Sequence, residues 1–199
     1  MFEILPQSDQ DSAAVEALLD ISFGPDRFKK TAYRLREGVA PVAALSFVAK
    51  KEGEVVGTIR FWPVVIKDES VAPPRKLAAL MLGPIAVEPS LKGQGIGIGL
   101  MRHGLAAARG LGTRIVVLVG DLDYYSRVGF SRAPAAGLRM PGPVDPDRLL
   151  ALELEPGALA GVMGPIGRAR ASKRKAAVAP PRPPEPRRSV RRALKRSIA

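Results

Sequence analysis

From Lys92 to Gly99 the chain reads Lys-Gly-Gln-Gly-Ile-Gly-Ile-Gly, so from Gly93 onward every second residue is glycine. That spacing suits one kind of chemistry. Glycine lets a backbone come close to a ligand with no Cβ in the way. A helix that begins there turns its unpaired N–H groups and its positive dipole end into the turn. The result is a socket for phosphate oxygens. Two common phosphate loops are excluded. The pattern Gly-x4-Gly-Lys-Ser/Thr is absent, and a dinucleotide loop fails because Ile98 stands where its third small residue belongs. Taken alone, such a turn can also merely join a strand to a helix.

The neighbouring elements are readable. Leu77 to Val87 is almost wholly apolar, as expected of a central strand covered on both faces. After the glycines, Ile96, Leu100, Leu105 and Leu111 fall loosely on one side of a helix, and Ile115 to Val119 is a short β-branched strand. Upstream, Phe2 to Leu5 predicts a strand closed by Pro6. Ser12 to Phe23 predicts a helix capped by Asp11 or Ser12 and ended by Gly24-Pro25. Arg27 to Glu37 predicts a second, more polar helix whose basic residues form a solvated face. Leu45 to Lys50 and Val55 to Ile66 predict a hairpin, with a bulge, edge or break at Pro63, which cannot donate to a ladder. Leu149 to Leu154 and the glycine-rich 156–167 close the core.

Lys92-Gly93-Gln94-Gly95-Ile96-Gly97 resembles the Arg/Gln-x-x-Gly-x-Gly/Ala motif of the GCN5-related N-acetyltransferases, with lysine at the first position. A second stretch follows the strand at 115–119: Tyr125-Ser-Arg-Val-Gly-Phe130 matches the Tyr-x-Lys/Arg-x-Gly-Phe ending of that family. Leu-Gly-Pro-Ile-Ala-Val at 82–87, with Gly-Asp-x-x-Tyr-Tyr-x-Arg-x-Gly-Phe at 120–130, is similar to its YhbS-like branch. The specific resemblance covers about residues 80 to 132, and a looser likeness reaches about 167. It implies an α/β fold: a mixed, mostly antiparallel sheet flanked by helices and splayed between its fourth and fifth strands.

The resemblance also implies roles. Backbone amides from Lys92 through Gly93, Gln94, Gly95, Ile96, Gly97 and Ile98 would take the pyrophosphate of acetyl-CoA. Ile85, Ala86 and Val87, on the splayed fourth strand, would bind the pantetheine arm and polarise the thioester carbonyl. Pro84 has no N–H and cannot serve. Tyr125 occupies the family's tyrosine position, where a phenol protonates the departing thiolate; Tyr124 is its nearest rival. No base stands out. His103, Asp121, Glu88 and water-mediated deprotonation all stay open. Basic residues between Arg27 and Arg36, on the acceptor side, would favour an acidic acceptor if they were not simply solvated.

Composition sets the remaining bounds. The chain has 199 residues and no cysteine, which excludes disulfides, thiolate metal sites and a cysteine nucleophile. No His and carboxylate cluster suggests a metal, and Gly-x-Ser-x-Gly is absent. With no signal peptide and no apolar run of about 18 residues, the expected location is cytoplasmic. The net charge of +12 is unevenly placed. Residues 1–167, the expected acetyltransferase domain, carry 19 Lys and Arg against 18 Asp and Glu; residues 168–199 carry 12 against one. That tail holds five prolines in 178–186, and Val190, Leu194 and Ile198 recur among six basic residues in 187–199. It is expected to be unpacked, with an amphipathic helix over 187–199 that could contact nucleic acid or an anionic membrane. A homodimer is compatible with the sequence. Two functions follow: transfer of acetyl from acetyl-CoA to a primary amine by direct attack, or a non-catalytic acyl-CoA-binding module docked by its tail.

Overall fold

A computed structural model describes residues 1–169. The expectations placed on the rest of the tail lie outside the described residues. Strands β1 (Glu3–Pro6), β2 (Phe47–Lys51), β3 (Glu54–Asp68), β4 (Arg75–Val87), β5 (Ile115–Val119) and β7 (Leu149–Glu153) lie side by side in the order β1-β2-β3-β4-β5-β7. The short β6 (Leu138–Arg139) pairs with β8 (Gly164–Arg168), which also pairs with β3 beyond the end of β2. Only β4 with β5 and β6 with β8 run parallel; the other pairs are antiparallel. The sheet is therefore mixed and mostly antiparallel. Its last strand includes Arg168, so the boundary expected after Gly167 falls inside β8.

The central strands are apolar because both their faces are covered. In β4, Leu80 and Leu82 belong to the core under helix α3 (Ile96–Gly110), while Ala79 and Met81 belong to the core on the opposite face. In β5, Val116 and Leu118 alternate with Ile115 and Val117 in the same way. This period of two is the strand's own. Helix α1 (Ser12–Phe23) packs Val15, Leu18 and Leu19 against Val48 and Ala86. Helix α3 buries Ile96, Leu100, Met101, Leu105 and Ala108, whereas Leu111, expected in that stripe, is 60% exposed past its end.

The hairpin of β2 and β3 forms as expected, but the irregularity near Pro63 lies elsewhere. Ile59 pairs with Ile85 and Phe61 with Leu82, so Gly83 and Pro84 of β4 together oppose Arg60. That is a bulge in β4. Pro63 itself pairs with Leu80, and on its other side it falls between the last partner in β2 and the first in β8. Its missing N–H is tolerated where β3 changes partner.

The second helix is a correction. Pro25–Lys29 is a 3-10 turn, Lys30 is extended, and the α-helix that follows, α2, spans only Thr31–Arg34. The solvated basic face forms only in part, because Lys29, Lys30 and Arg34 are exposed while Arg27 and Arg36 are buried. Arg27 is 4% exposed and donates to Glu16 and Asp20 at 2.8 Å each; Arg36 is 9% exposed. Folding the Arg27 side chain back onto the carboxylates of α1 holds this segment as a clasp rather than a regular helix.

Candidate active site

The parallel pairing of β4 with β5 consists of Leu80 with Val116 and Met81 with Val117, and it stops there. Beyond Met81 the bulge turns β4 away, so Ile85 to Val87 keep β3 on one side and a cleft on the other. The ladder shows which amides are free. Glu88 donates its N–H to Val56, and the alternation of an antiparallel pair then aims the Ala86 amide at β3. The amides of Ile85 and Val87 point into the cleft. Ala86 lines the cleft, but its N–H belongs to the sheet.

At the mouth of the cleft the glycine loop turns into α3. Gly93 and Gly95 have φ of 84° and 80°, values at which a side chain is strained. The amides of Gly93, Gly95, Ile96, Gly97 and Ile98 donate to no other described residue, while Gly99 already bonds back to Gly95. Five neighbouring donors at the positive end of a 15-residue helix make an anion site. A Cβ on Gly97 would run into the Tyr124 hydroxyl. That glycine is what allows the phenol to lie across the start of the helix.

Two cavities open from the cleft. One, of about 620 Å³, is lined by Ile85, Ala86, Val87, Lys92, Gly93, Gly95, Ile96, Gly97 and Ile98, together with Tyr124 and Arg127. Every residue expected to hold the cofactor is there except Gln94, which is exposed and does not line it. The other, of about 540 Å³, lies toward Lys29, Lys30, Tyr33, Arg36 and the Gly83-Pro84 bulge. Phe23, Ile85, Val119, Tyr125 and Arg148 line both. Tyr125 therefore stands at the junction, whereas Tyr124 lines only the first. The Tyr125 ring lies on Gly120, and Tyr124 meets it edge-on at 5.2 Å. Burial, helped by Tyr124 and Asp121 and opposed by Arg148, pushes the Tyr125 phenol up to about 12. Burial also raises Tyr124.

The candidate bases separate. His103 is exposed on α3, edge-on to Phe47 at 4.6 Å, and lines neither cavity. Glu88 opens the turn before the glycine loop. Asp121 lines the larger cavity and pairs with Arg148 at 3.2 Å. Arg148 escaped notice in the sequence, because it reaches the site only through the antiparallel pairing of β7 with β5. Among the described residues no cluster of His, Asp or Glu could hold a metal ion, and no helix is long and apolar enough to cross a membrane.

A strand that parts from its parallel neighbour above a glycine-rich helix start defines the class. The family model for an acetyltransferase (GNAT) domain matches residues 43–132. The chain belongs to this family of acyltransferases: it is 34% identical over 155 residues to the Escherichia coli K12 protein YhbS, described as an uncharacterized N-acetyltransferase. That match covers 77% of this chain and 88% of the relative. YjhQ of the same organism, also described as an N-acetyltransferase, is 34% identical over 137 residues, covering 68% of this chain and 71% of its own. Among solved structures, E. coli YhbS in complex with CoA superposes with a TM-score of 0.70 at 30% identity, over 84% of this chain and 89% of that one. A GNAT acetyltransferase from Brucella melitensis in complex with acetyl-CoA gives 0.60 at 29%, over 85% and 96%.

Proposed function

We propose that this protein transfers an acetyl group from acetyl-CoA to a primary amine by direct attack. One observation carries the reading: two cavities meet at Tyr125, one floored by unpaired amides and the other open to an acceptor. The residues fit acetyl-CoA, the ligand of the Brucella relative. The amides of Gly93, Gly95, Ile96, Gly97 and Ile98 receive the pyrophosphate, with Lys92 beside them as an exposed cation. Ile85 and Val87 donate along the cleft, one toward the pantetheine arm and one toward the thioester oxygen, where charge accumulates during attack. Acetyl-CoA supplies the activated acyl group and CoA leaves as the thiol.

Tyr125 donates its proton to the sulfur as the C–S bond breaks, and the attacking nitrogen loses its own to solvent. A phenol pushed up to about 12 stays protonated at neutral pH, so its O–H is always available. The burial that raises the phenol also raises the pKa of a thiol formed beside it, so the gap between the two acidities stays near its value in water. Solvent returns a proton to the phenolate once CoA leaves. The alternative, a non-catalytic acyl-CoA-binding module, leaves the second cavity without a purpose. A panel of primary amines separates the readings. Amine-dependent release of CoA with formation of the N-acetyl product is expected. Tight binding of acetyl-CoA with no acetylated product from any amine would favour the binding module.

A further inference from the structure

Arg36 is a buried guanidinium with no counter-ion among the described residues. It is nine-tenths buried, its Nε makes no hydrogen bond, and no carboxylate among the described residues pairs with it. Two aromatic rings hold it: Cζ lies 4.5 Å from the centre of Tyr33 and 5.7 Å from that of Trp62. Burial lowers its pKa only to about 10, so it remains a cation at neutral pH. Arg27, a few residues earlier, shows how this fold treats a buried guanidinium that serves structure alone, giving it two carboxylates. A buried charge with no partner is costly unless something else pairs with it.

The position of Arg36 says what that partner is. It lines the smaller, acceptor-side cavity, and its Nη2 lies 3.2 Å from where a Cβ on Gly83 would stand, beside the bulge that opens the cleft. Lys29, Lys30 and Arg148 share the lining, and among the described residues Asp145 is its only carboxylate. Asp145 is exposed and accepts from the Asp147 amide. Lys29 is matched by Asp26 and Arg148 by Asp121, while Lys30 lies over the Phe23 ring. The cavity is thus electropositive, with one unmatched planar fork near its floor. A guanidinium fork matches the two oxygens of a carboxylate.

We propose that the acceptor amine carries a carboxylate, as an amino acid does, and that Arg36 binds it beside the Gly83-Pro84 bulge. This rests on the acetyl-transfer reading and narrows its substrate class. The test uses matched amines that differ in one charge: glycine, phenylalanine and glutamine against their carboxamides, and 4-aminobutyrate against butylamine. The carboxylates should be acetylated in preference to their partners. Arg36→Gln should raise their KM by roughly 10- to 100-fold, the worth of one charge-assisted hydrogen bond, with kcat little changed and the uncharged amines unaffected. Arg36→Lys should restore part of the loss. Arg36→Gln gives up the stacking on Tyr33 and Trp62 but also relieves an unpaired buried charge, so the melting temperature should shift little.

A second readout needs no turnover. Trp62, the chain's only tryptophan, should change its fluorescence when a carboxylate-bearing amine is added to the CoA-loaded protein, and Arg36→Gln should abolish the change. If amides and carboxylates are acetylated equally, or no carboxylate perturbs Trp62, the assignment of Arg36 is wrong while acetyl transfer can stand. If carboxylates perturb Trp62 through Arg36 but no amine is acetylated, this assignment stands and acetyl transfer fails.

Discussion

Tyr124 and Tyr125 are neighbours in sequence with different surroundings, and the glycines beneath them decide where each ring lies. Gly120 lets the Tyr125 ring settle at the junction of the cavities, and Gly97 lets the Tyr124 hydroxyl cross the start of α3. Gly97→Val drives a side chain into Tyr124 and into the path of the pyrophosphate at once. The variant should stay folded and lose measurable acetyl-CoA binding by calorimetric titration; unchanged affinity would contradict the loop assignment. Gly95 has open space where its Cβ would be and a φ of 80°. Gly95→Ala should therefore cost about 1–2 kcal/mol of stability through its backbone alone, read by denaturant unfolding. The phenol of Tyr125 gives a pH prediction. In the proposed mechanism its acid form is the working one, and its pKa is raised to about 12. The limb of kcat that it controls is lost only as pH rises through that value. Between about pH 7 and 10 the rate should not fall; a fall centred on the ordinary value of 10 would show that the phenol is not held as described.

At the scale of elements, the motifs legible in the sequence are local. The glycine loop, the strand before it and Tyr-x-Arg-x-Gly-Phe each sit within a few residues of the backbone they shape. What could not be read depends on partners far apart in the chain. Arg27 looks like any solvated arginine until α1 brings Glu16 and Asp20 to it. Strands β3 and β4 extend beyond the apolar runs legible in the sequence, to Asp68 and back from Arg75, because Asp68, fully buried, accepts from Ser70, Arg75 and the Met163 amide. The two hydrogen bonds from Ser70, with those from Arg75 and Met163, hold the Asp68 carboxyl well below its usual range. Lys50, with Ser8, holds Asp11 down at about 2. Both folded pKa values are depressed. Their contribution to stability is present above about pH 4 and disappears as pH falls through the folded values. The melting temperature should drop steeply between about pH 4 and 2. Asp11→Asn should melt lower at neutral pH and show a shallower acid slope; an unchanged slope would mean that Asp11 is not held by Lys50.

At the scale of the whole molecule, charge and catalysis are separately placed. Residues 1–167 carry nearly balanced charge, and all but one of the net positive charges lie beyond them. The loop, the cleft and Tyr125 lie within the sheet domain. We expect a chain ending after Ala169 to bind acetyl-CoA as the full chain does, and to lose salt-sensitive adhesion to DNA and to anionic vesicles. Loss of acetyl-CoA binding on truncation would show that the tail belongs to the site. In the full chain, replacing Val190, Leu194 and Ile198 with serine should weaken binding to vesicles more than to DNA if the tail is an interfacial helix.

The central claim is that this cleft moves an acetyl group and that Tyr125 protonates the leaving sulfur. Initial rates for wild type, Tyr124→Phe and Tyr125→Phe on the same amine panel, with acetyl-CoA affinity measured alongside, test it most directly. Tyr125→Phe alone should lower kcat by roughly 10- to 1,000-fold, the range of a single general acid, while acetyl-CoA affinity is unchanged. Normal turnover by Tyr125→Phe together with a collapse in Tyr124→Phe would contradict it, and would give the proton to the other tyrosine.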